Sequence, residues 1–212
     1  MNDLQQETHR RHLAKADVYR LLSACFYEPE PAFLEEDIFG QLKTAMNTLG
    51  SEYVGDTAAM ETSFRDGGAD ALLLDYTRLF LGPFKILATP YGSIYLDGEN
   101  VVMGDSTMRA LTLYREGGFE VAEDFREMPD HVALELEFLY LLSFRLGQEA
   151  EADEHARLGE LKHCFLKEHL GQWVGVFTAA MRDGAETDFY KQLAHMTEQV
   201  ILDDLREHDE NV

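Results

Sequence analysis

Glu127-Met128-Pro129-Asp130-His131 open the most apolar stretch of the chain, Val132-Ala133-Leu134-Glu135-Leu136-Glu137-Phe138-Leu139-Tyr140-Leu141-Leu142, and this junction constrains the fold more than any other feature. Proline has no N–H to lose and a φ already near the helical value, so it suits the first turn of a helix better than any later position. The spacing predicts a helix that begins at Pro129. Val132, Leu136, Leu139 and Ser143 form one face, and Leu134, Phe138, Leu141 and Leu142 another. Few positions remain for water, as in a helix buried on most sides. Asp130 and His131 then sit at its mouth, where free N–H groups and the positive end of the dipole favour a carboxylate and disfavour an imidazolium.

Helical periodicity continues on both sides. Leu13, Ala16, Arg20 or Leu21, Ala24 and Tyr27 recur at helical spacing until Glu28-Pro29-Glu30-Pro31, and a second helix runs from Phe33 to Leu49 with Gly50 as its stop. A short helix over Thr57 to Phe64, a turn at Asp66-Gly67-Gly68 and a stripe of Leu72, Leu73, Tyr76, Leu79 and Phe80 ending at Gly82-Pro83 follow. Phe84 to Glu99 lacks helical spacing and predicts an ordered loop, of a length that often forms a binding surface. Asp105-Ser106-Thr107 can cap the next helix, which Gly117-Gly118 ends.

The bridge from Phe119 to Met128 offers a hinge at 117–129 between an N-terminal lobe, 1–117, and a C-terminal lobe, 129–212. Such a hinge would also let two chains exchange their C-terminal helices, although a monomer is the default expectation. Three further helices carry Leu158 to Leu166, Trp173 to Met181 and, after a Thr187-Asp188 cap, Phe189 to Leu205, with fraying from His208 to Val212. The expected fold is all-α, a single-chain bundle of about nine to ten helices.

Charge and cysteine content narrow the function. Forty acidic residues face eighteen basic ones, for a formal net charge of -22. Such a chain repels nucleic acid and anionic membranes and attracts cationic partners, a basic peptide above all; acidity also serves solubility alone. Cys25 and Cys164, in apolar helical contexts without Cys-x-x-Cys spacing, fit free thiols in a reducing compartment. Neither a leader-like start nor an uninterrupted run of about 18 apolar residues is present, which predicts a cytoplasmic protein without membrane insertion.

Two catalytic readings are open to the junction. His131 and Glu135 lie four apart on one helical face, and with Asp130 they would make a metal-dependent hydrolase, but no third ligand stands at the usual spacing. Asp130 beside His131 lacks a nucleophile elbow, and adjacent helical side chains diverge. The structural alternative has Asp130 meeting the helix N-terminus and His131 bonding to a neighbouring loop. His163, Cys164, Glu168 and His169 are metal-like by type but fit helix packing and surface. No phosphate-cradling Gly-rich motif occurs.

Taken in order, Tyr76-Thr77-Arg78-Leu79-Phe80, Pro90-Tyr91-Gly92-Ser93-Ile94-Tyr95, Met103-Gly104-Asp105-Ser106-Thr107 and Glu127-x-Pro129-Asp130-His131 resemble the TorD/DmsD/NarJ family of redox-enzyme maturation chaperones, the loop motif being closer to TorD and DmsD. The resemblance implies an all-helical cytoplasmic chaperone with no reaction and no cofactor of its own. Its partner would be the precursor of a molybdenum-cofactor oxidoreductase, met through the twin-arginine signal peptide or the apoenzyme until the cofactor is inserted. The implied client-binding residues are Tyr91, Ser93, Tyr95, Gly104, Asp130 and His131. A structural subunit of an oxidoreductase complex is the further alternative. Under the chaperone reading, acidic groups attract the arginines while aromatic residues receive the apolar segment.

Overall fold

The computed structural model describes residues 3–51, 53–82, 85–98, 101–122, 125–148 and 151–210. Pro83, Phe84, Glu99, residues 123–124 and Asn211-Val212, on which parts of the expectations above fall, lie outside the described residues. The architecture is all-helical: α1 Asp3–Ala24, α2 Ala32–Glu35, α3 Ile38–Leu49, α4 Val54–Tyr76, α5 Gly92–Leu96, α6 Asp105–Glu116, α7 Val132–Leu146, α8 Ala152–Phe165, α9 Gly171–Gly184 and α10 Asp188–Glu210. Among the described residues no helix is long and apolar enough to cross a membrane.

The apolar stripes pack α7 against α1, α1 against α3, and α10 against α4 and α9. Elements from both sides of 117–129 thus share one core. In α7, Val132, Ala133, Leu136, Phe138, Leu139 and Leu142 are fully buried, as expected of a helix apolar on two faces. Removing a fully buried leucine from water contributes roughly 1.5–3 kcal/mol. In α1 the buried face is Val18, Tyr19, Leu21 and Leu22, continued by Cys25 and Phe26 in the turn that follows, while Arg20 is exposed. Both cysteines are free, and burial pushes the Cys25 thiol up to about 12.

Several boundaries differ from the expected ones. The continuous helix over 33–49 is broken at Asp37, which takes a left-handed φ of 52°. This break lets Phe33 and Phe39, on separate helices, both reach the ring of Phe64, at 5.7 Å each. Gly68 takes φ 71°, ψ 170°, a conformation open chiefly to glycine, and breaks α4 where the turn was expected. After that break Leu72, Tyr76, Leu79 and Phe80 face the core but Leu73 is 39% exposed. The run closes in a π-helical turn, Thr77–Leu81, and a second one, Leu166–Leu170, joins α8 to α9.

Two buried polar centres tie the bundle together. Asp75 accepts bonds from the backbone N–H of Glu186 and Thr187 and from the Thr187 hydroxyl, so the expected cap before α10 is instead held from α4. Asp204 of α10 takes Lys15 at 2.5 Å and the Tyr19 hydroxyl at 2.6 Å from α1, and the Lys162 ammonium from α8. Burial opposes the Asp204 charge, yet the two ammonium groups outweigh it and hold its pKa well below the usual carboxylate range.

Candidate functional site

The chain before α7 does not enter the helix at Pro129. Helical geometry starts at Val132, with His131 extended at φ -69°, ψ 135° as the N-cap. Its Nδ1 accepts the backbone N–H of Ala133 at 3.2 Å, which satisfies one of the free donors of the first turn. Pro129 lies outside the helix and its carbonyl accepts the Tyr114 hydroxyl at 2.9 Å.

Freed from the helix, the backbone of 130–132 pairs with the loop. Gly92 donates to the Asp130 carbonyl at 3.0 Å and Val132 to the Pro90 carbonyl at 2.9 Å, an antiparallel bridge between Tyr91 and His131. The Asp130 carboxylate continues the contact: Oδ2 accepts the backbone N–H of Ser93 at 2.7 Å, in the first turn of α5. The expected roles of the pair are therefore exchanged. His131 caps its own helix, and Asp130 reaches across to the neighbouring loop. The reason is geometric, since Asp130 lies in the turn closed by the His131 N–H on the Met128 carbonyl, one residue too early to cap α7.

The six candidate residues divide by exposure. Asp130 and Ser93 are fully buried and His131 is 4% exposed; Tyr91, Tyr95 and Gly104 are half-buried. Asp130 Oδ1 and Ser93 Oγ have no partner among the described residues. Gly104 stands at the N-cap of α6. A Cβ there would collide with the Asp97 carboxylate and Val101, and Asp97 needs that space to accept the Ser106 backbone N–H at 3.1 Å. The expected Asp105-Ser106-Thr107 cap is thus supplied from Asp97. Tyr95 donates to the Thr89 carbonyl at 2.9 Å and stacks on Trp173 with ring centroids 5.5 Å apart.

On the solvent side the His131 ring lies between two tyrosines. Tyr27 of the α1 end is nearly parallel to it at 6.2 Å, and Tyr91 meets it edge-on at 5.3 Å. Tyr27 donates to Glu137 Oε1 at 2.9 Å and Tyr91 to Glu127 Oε2 at 2.5 Å. Burial, then the adjacent glutamates, raise both phenols, so they remain neutral donors. Burial lowers His131 to about 4 against the pull of Glu127 and Asp130, which keeps the imidazole neutral at pH 7. Beside Tyr27 a groove of about 400 Å³ runs between α1 and α7, with Ser23, Ala24, Phe119 and Tyr140 in its wall and Arg20 and Glu137 as its charged groups. Periodicity alone did not single out Tyr27, Glu127 or Glu137 for this surface; Glu127 was visible only as part of the Glu-x-Pro-Asp-His motif.

The ligand set of the hydrolase alternative does not converge. Glu135 is fully buried and pairs with His169 Nε2 at 2.8 Å, across to the π-helical turn, while Asp130 goes to Ser93 and His131 Nδ1 to Ala133. Among the described residues no three His, Cys, Asp or Glu side chains stand together as a metal-binding group. Burial raises the Glu135 pKa; burial opposes charge on His169, but the Glu135 carboxylate outweighs it and holds the imidazole above its ordinary value. Of the other metal-like residues, Glu168 pairs with Arg109 and His163 stacks on His208 at 3.9 Å.

The chain resembles known proteins over most of its length. The family described as nitrate reductase delta subunit matches residues 36–179. The Tat proofreading chaperone DmsD of Salmonella typhimurium is 32% identical over 185 residues, 84% of each chain. Chaperone protein TorD of Shewanella pealeana is 28% identical over 197 residues, 86% of this chain and 84% of that one. In three dimensions the fold matches a crystal structure of an Archaeoglobus fulgidus protein assigned to redox enzyme maturation, with a TM-score of 0.54 and 23% identity over 90% of this chain and 91% of the other.

Proposed function

We propose that this chain, which belongs to the nitrate reductase delta subunit family together with the TorD and DmsD chaperones and is itself a redox-enzyme maturation chaperone, binds the twin-arginine signal peptide and the apo-form of a molybdenum-cofactor oxidoreductase. It acts in the cytoplasm as a monomer, as one chaperone domain over 1–212, and holds the precursor until the cofactor is inserted. The observation that carries this reading is the joint between 90–93 and 130–132, which sets half-buried Tyr91 against the His131 ring that also meets Tyr27; each phenol is bonded to a glutamate, and Tyr27 lines a largely apolar groove that Arg20 and Glu137 also border. Such a surface suits a cationic peptide followed by an apolar segment. Asp130, His131 and Ser93 act from beneath it, by holding the loop in place.

Calorimetric titration tests the reading with a twin-arginine peptide, its Lys-Lys variant and a scrambled control. Binding of the first, weakened in the second and lost in the third, is the expected order. Because long-range attraction is screened over about 8 Å at physiological ionic strength, affinity should fall with salt. Equal heats for all three peptides would remove signal-peptide binding from the function.

The family description also favours a second reading, a lasting subunit of an oxidoreductase complex. Pull-downs separate the two. A maturation chaperone is recovered with the precursor, and a structural subunit with the mature enzyme.

A further inference from the structure

Half of the histidines of the chain meet at one place. Of eight in all, His12 of α1, His155 and His163 of α8 and His208 of α10 border a cavity of about 410 Å³, together with Lys15 and Lys162. His12 meets His155 edge-on at 5.5 Å, and His163 stacks on His208 at 3.9 Å. Two polar groups of this wall are under-used. Lys162 is 5% exposed, and its ammonium carries three N–H donors. Among the described residues it meets one acceptor, Asp204 Oδ2, with the Tyr19 ring 5.4 Å away. His12 Nδ1 is buried and has no partner among the described residues. Buried donors of a charged group are costly to leave unmade, and such groups call for an explanation.

The wall is also positive. Asp204 and Glu207 between them take Arg11, Lys15 and Lys162, three cations on two carboxylates, in a chain with a formal net charge of -22. The remaining carboxylate at the rim, Glu160, is 73% exposed and stands 3.8 Å from His208. Burial, then the charges of Lys162, Lys15 and His155, lower His12 to about 3 against the pull of Asp204. Burial lowers Lys162 to about 8, although Asp204 opposes it. An anion in the cavity would offset both effects. Exposed charges farther away than about 8 Å are screened at physiological ionic strength, so the local excess rather than the overall charge sets the field here.

We propose that the cavity between α1, α8 and α10 binds a small phosphomonoester, whose phosphate accepts the two remaining N–H groups of Lys162 and whose organic part lies against the histidine rings. A phosphate offers three strong acceptor oxygens and nearly two charges, and lysine binds it as a point charge. About 410 Å³ exceeds what a bare phosphate needs and falls in the range of small-molecule sites. The flat imidazole faces suit a ring beside the phosphate. This site stands apart from client binding, because neither α8 nor α10 lines the groove beside Tyr27.

Calorimetric titration of the full chain with inorganic phosphate, phenyl phosphate and benzoate at constant ionic strength tests the site. Melting curves in the same solutions give a second readout, since a ligand of the folded state raises Tm. Phenyl phosphate should bind most tightly, phosphate next and benzoate least. Lys162→Met should weaken phenyl phosphate by about tenfold or more, the loss of a charge-assisted bond. Gly159 supplies a variant that leaves the ion pairs intact, because it borders the cavity from α8 and a Cβ there meets nothing within 4 Å. Gly159→Glu sets a carboxylate on the wall and should also weaken binding by about tenfold or more; Gly159→Gln, of the same length without the charge, should bind more tightly than Gly159→Glu. Where Lys162→Met does not fold, the two Gly159 variants decide. No heat and no Tm shift with either phosphate, benzoate binding as well as phenyl phosphate, equal binding by the two Gly159 variants, or parent-like binding by folded Lys162→Met overturns the proposal, and each of these results leaves signal-peptide binding standing.

Discussion

Asp130 Oδ2 accepts the backbone N–H of Ser93 at 2.7 Å across 37 residues of sequence, and both residues are fully buried. This bond joins the mouth of α7 to the first turn of α5. It makes the loop an extension of the central helix rather than a separate flap.

Asp130→Ala should therefore cost about 1–3 kcal/mol, the penalty for leaving the buried Ser93 N–H unsatisfied. Urea denaturation measures the loss, and faster amide exchange at Ser93 locates it. Asp130→Asn keeps an acceptor oxygen and should retain most of the stability. An alanine variant that melts with the parent would show that the bond contributes nothing.

Leu136→Ala sets the scale for a purely structural defect. Leu136 is fully buried in α7, and emptying such a site should cost roughly 2–5 kcal/mol. Denaturation with the peptide present and absent should show lower stability, with intrinsic affinity unchanged under conditions where the variant is folded. Loss of affinity without loss of stability would contradict this assignment.

His131 adds an acid-sensitive contribution. Its pKa is about 4 in the folded chain and 6.5 as the ordinary value. Between these values the unfolded chain binds more protons, so stability rises with pH across that interval and is lost as pH falls from about 6.5 to about 4. The full loss is on the order of 3 kcal/mol. His131→Asn retains a capping side chain and removes the titration, so the difference between parent and variant should narrow as pH falls through this window. Parallel stability curves over pH 4 to 7 would refute it.

Gly92 permits a close approach. A Cβ at this position would stand 2.9 Å from Trp173 Nε1 and 3.3 Å from Glu135 Oε1. Gly92→Ala should cost about 1–3 kcal/mol through overpacking and shift the emission of Trp173, the sole tryptophan of the chain. An unchanged spectrum and melting curve would show that the loop yields without disturbing the indole.

Asp204→Asn should be among the most damaging single changes, because it leaves the buried Lys162 ammonium without its carboxylate and removes one of the two partners of Lys15. Breaking such a pair costs about 3–5 kcal/mol. Calorimetric melting measures it, and a Tm equal to that of the parent would mean that this centre adds no net stability.

The helices were legible because their signal is local. A stripe such as Trp173, Val174, Phe177 and Met181 repeats at the period of one element, and all four side chains are buried as that period requires. The motifs that hold Tyr91, Ser93 and Asp130 are also local in sequence, and the fold brings them into contact. What each residue does there was not legible. Asp130 and His131 both have side chains suited to a helix mouth, and adjacent positions differ only in which one the backbone turns toward the first N–H groups.

Sequence alone thus determined the all-helical class and the burial of α7, and it marked the two segments that meet at the mouth of that helix. Tertiary structure decided that His131 caps α7 while Asp130 holds Ser93, that Glu135 pairs with His169, and that Tyr27 joins a surface made by residues about one hundred positions away. Periodicity records which face of a helix is apolar. It carries no record of which neighbouring element that face meets, and these hydrogen bonds exist only once two elements have packed.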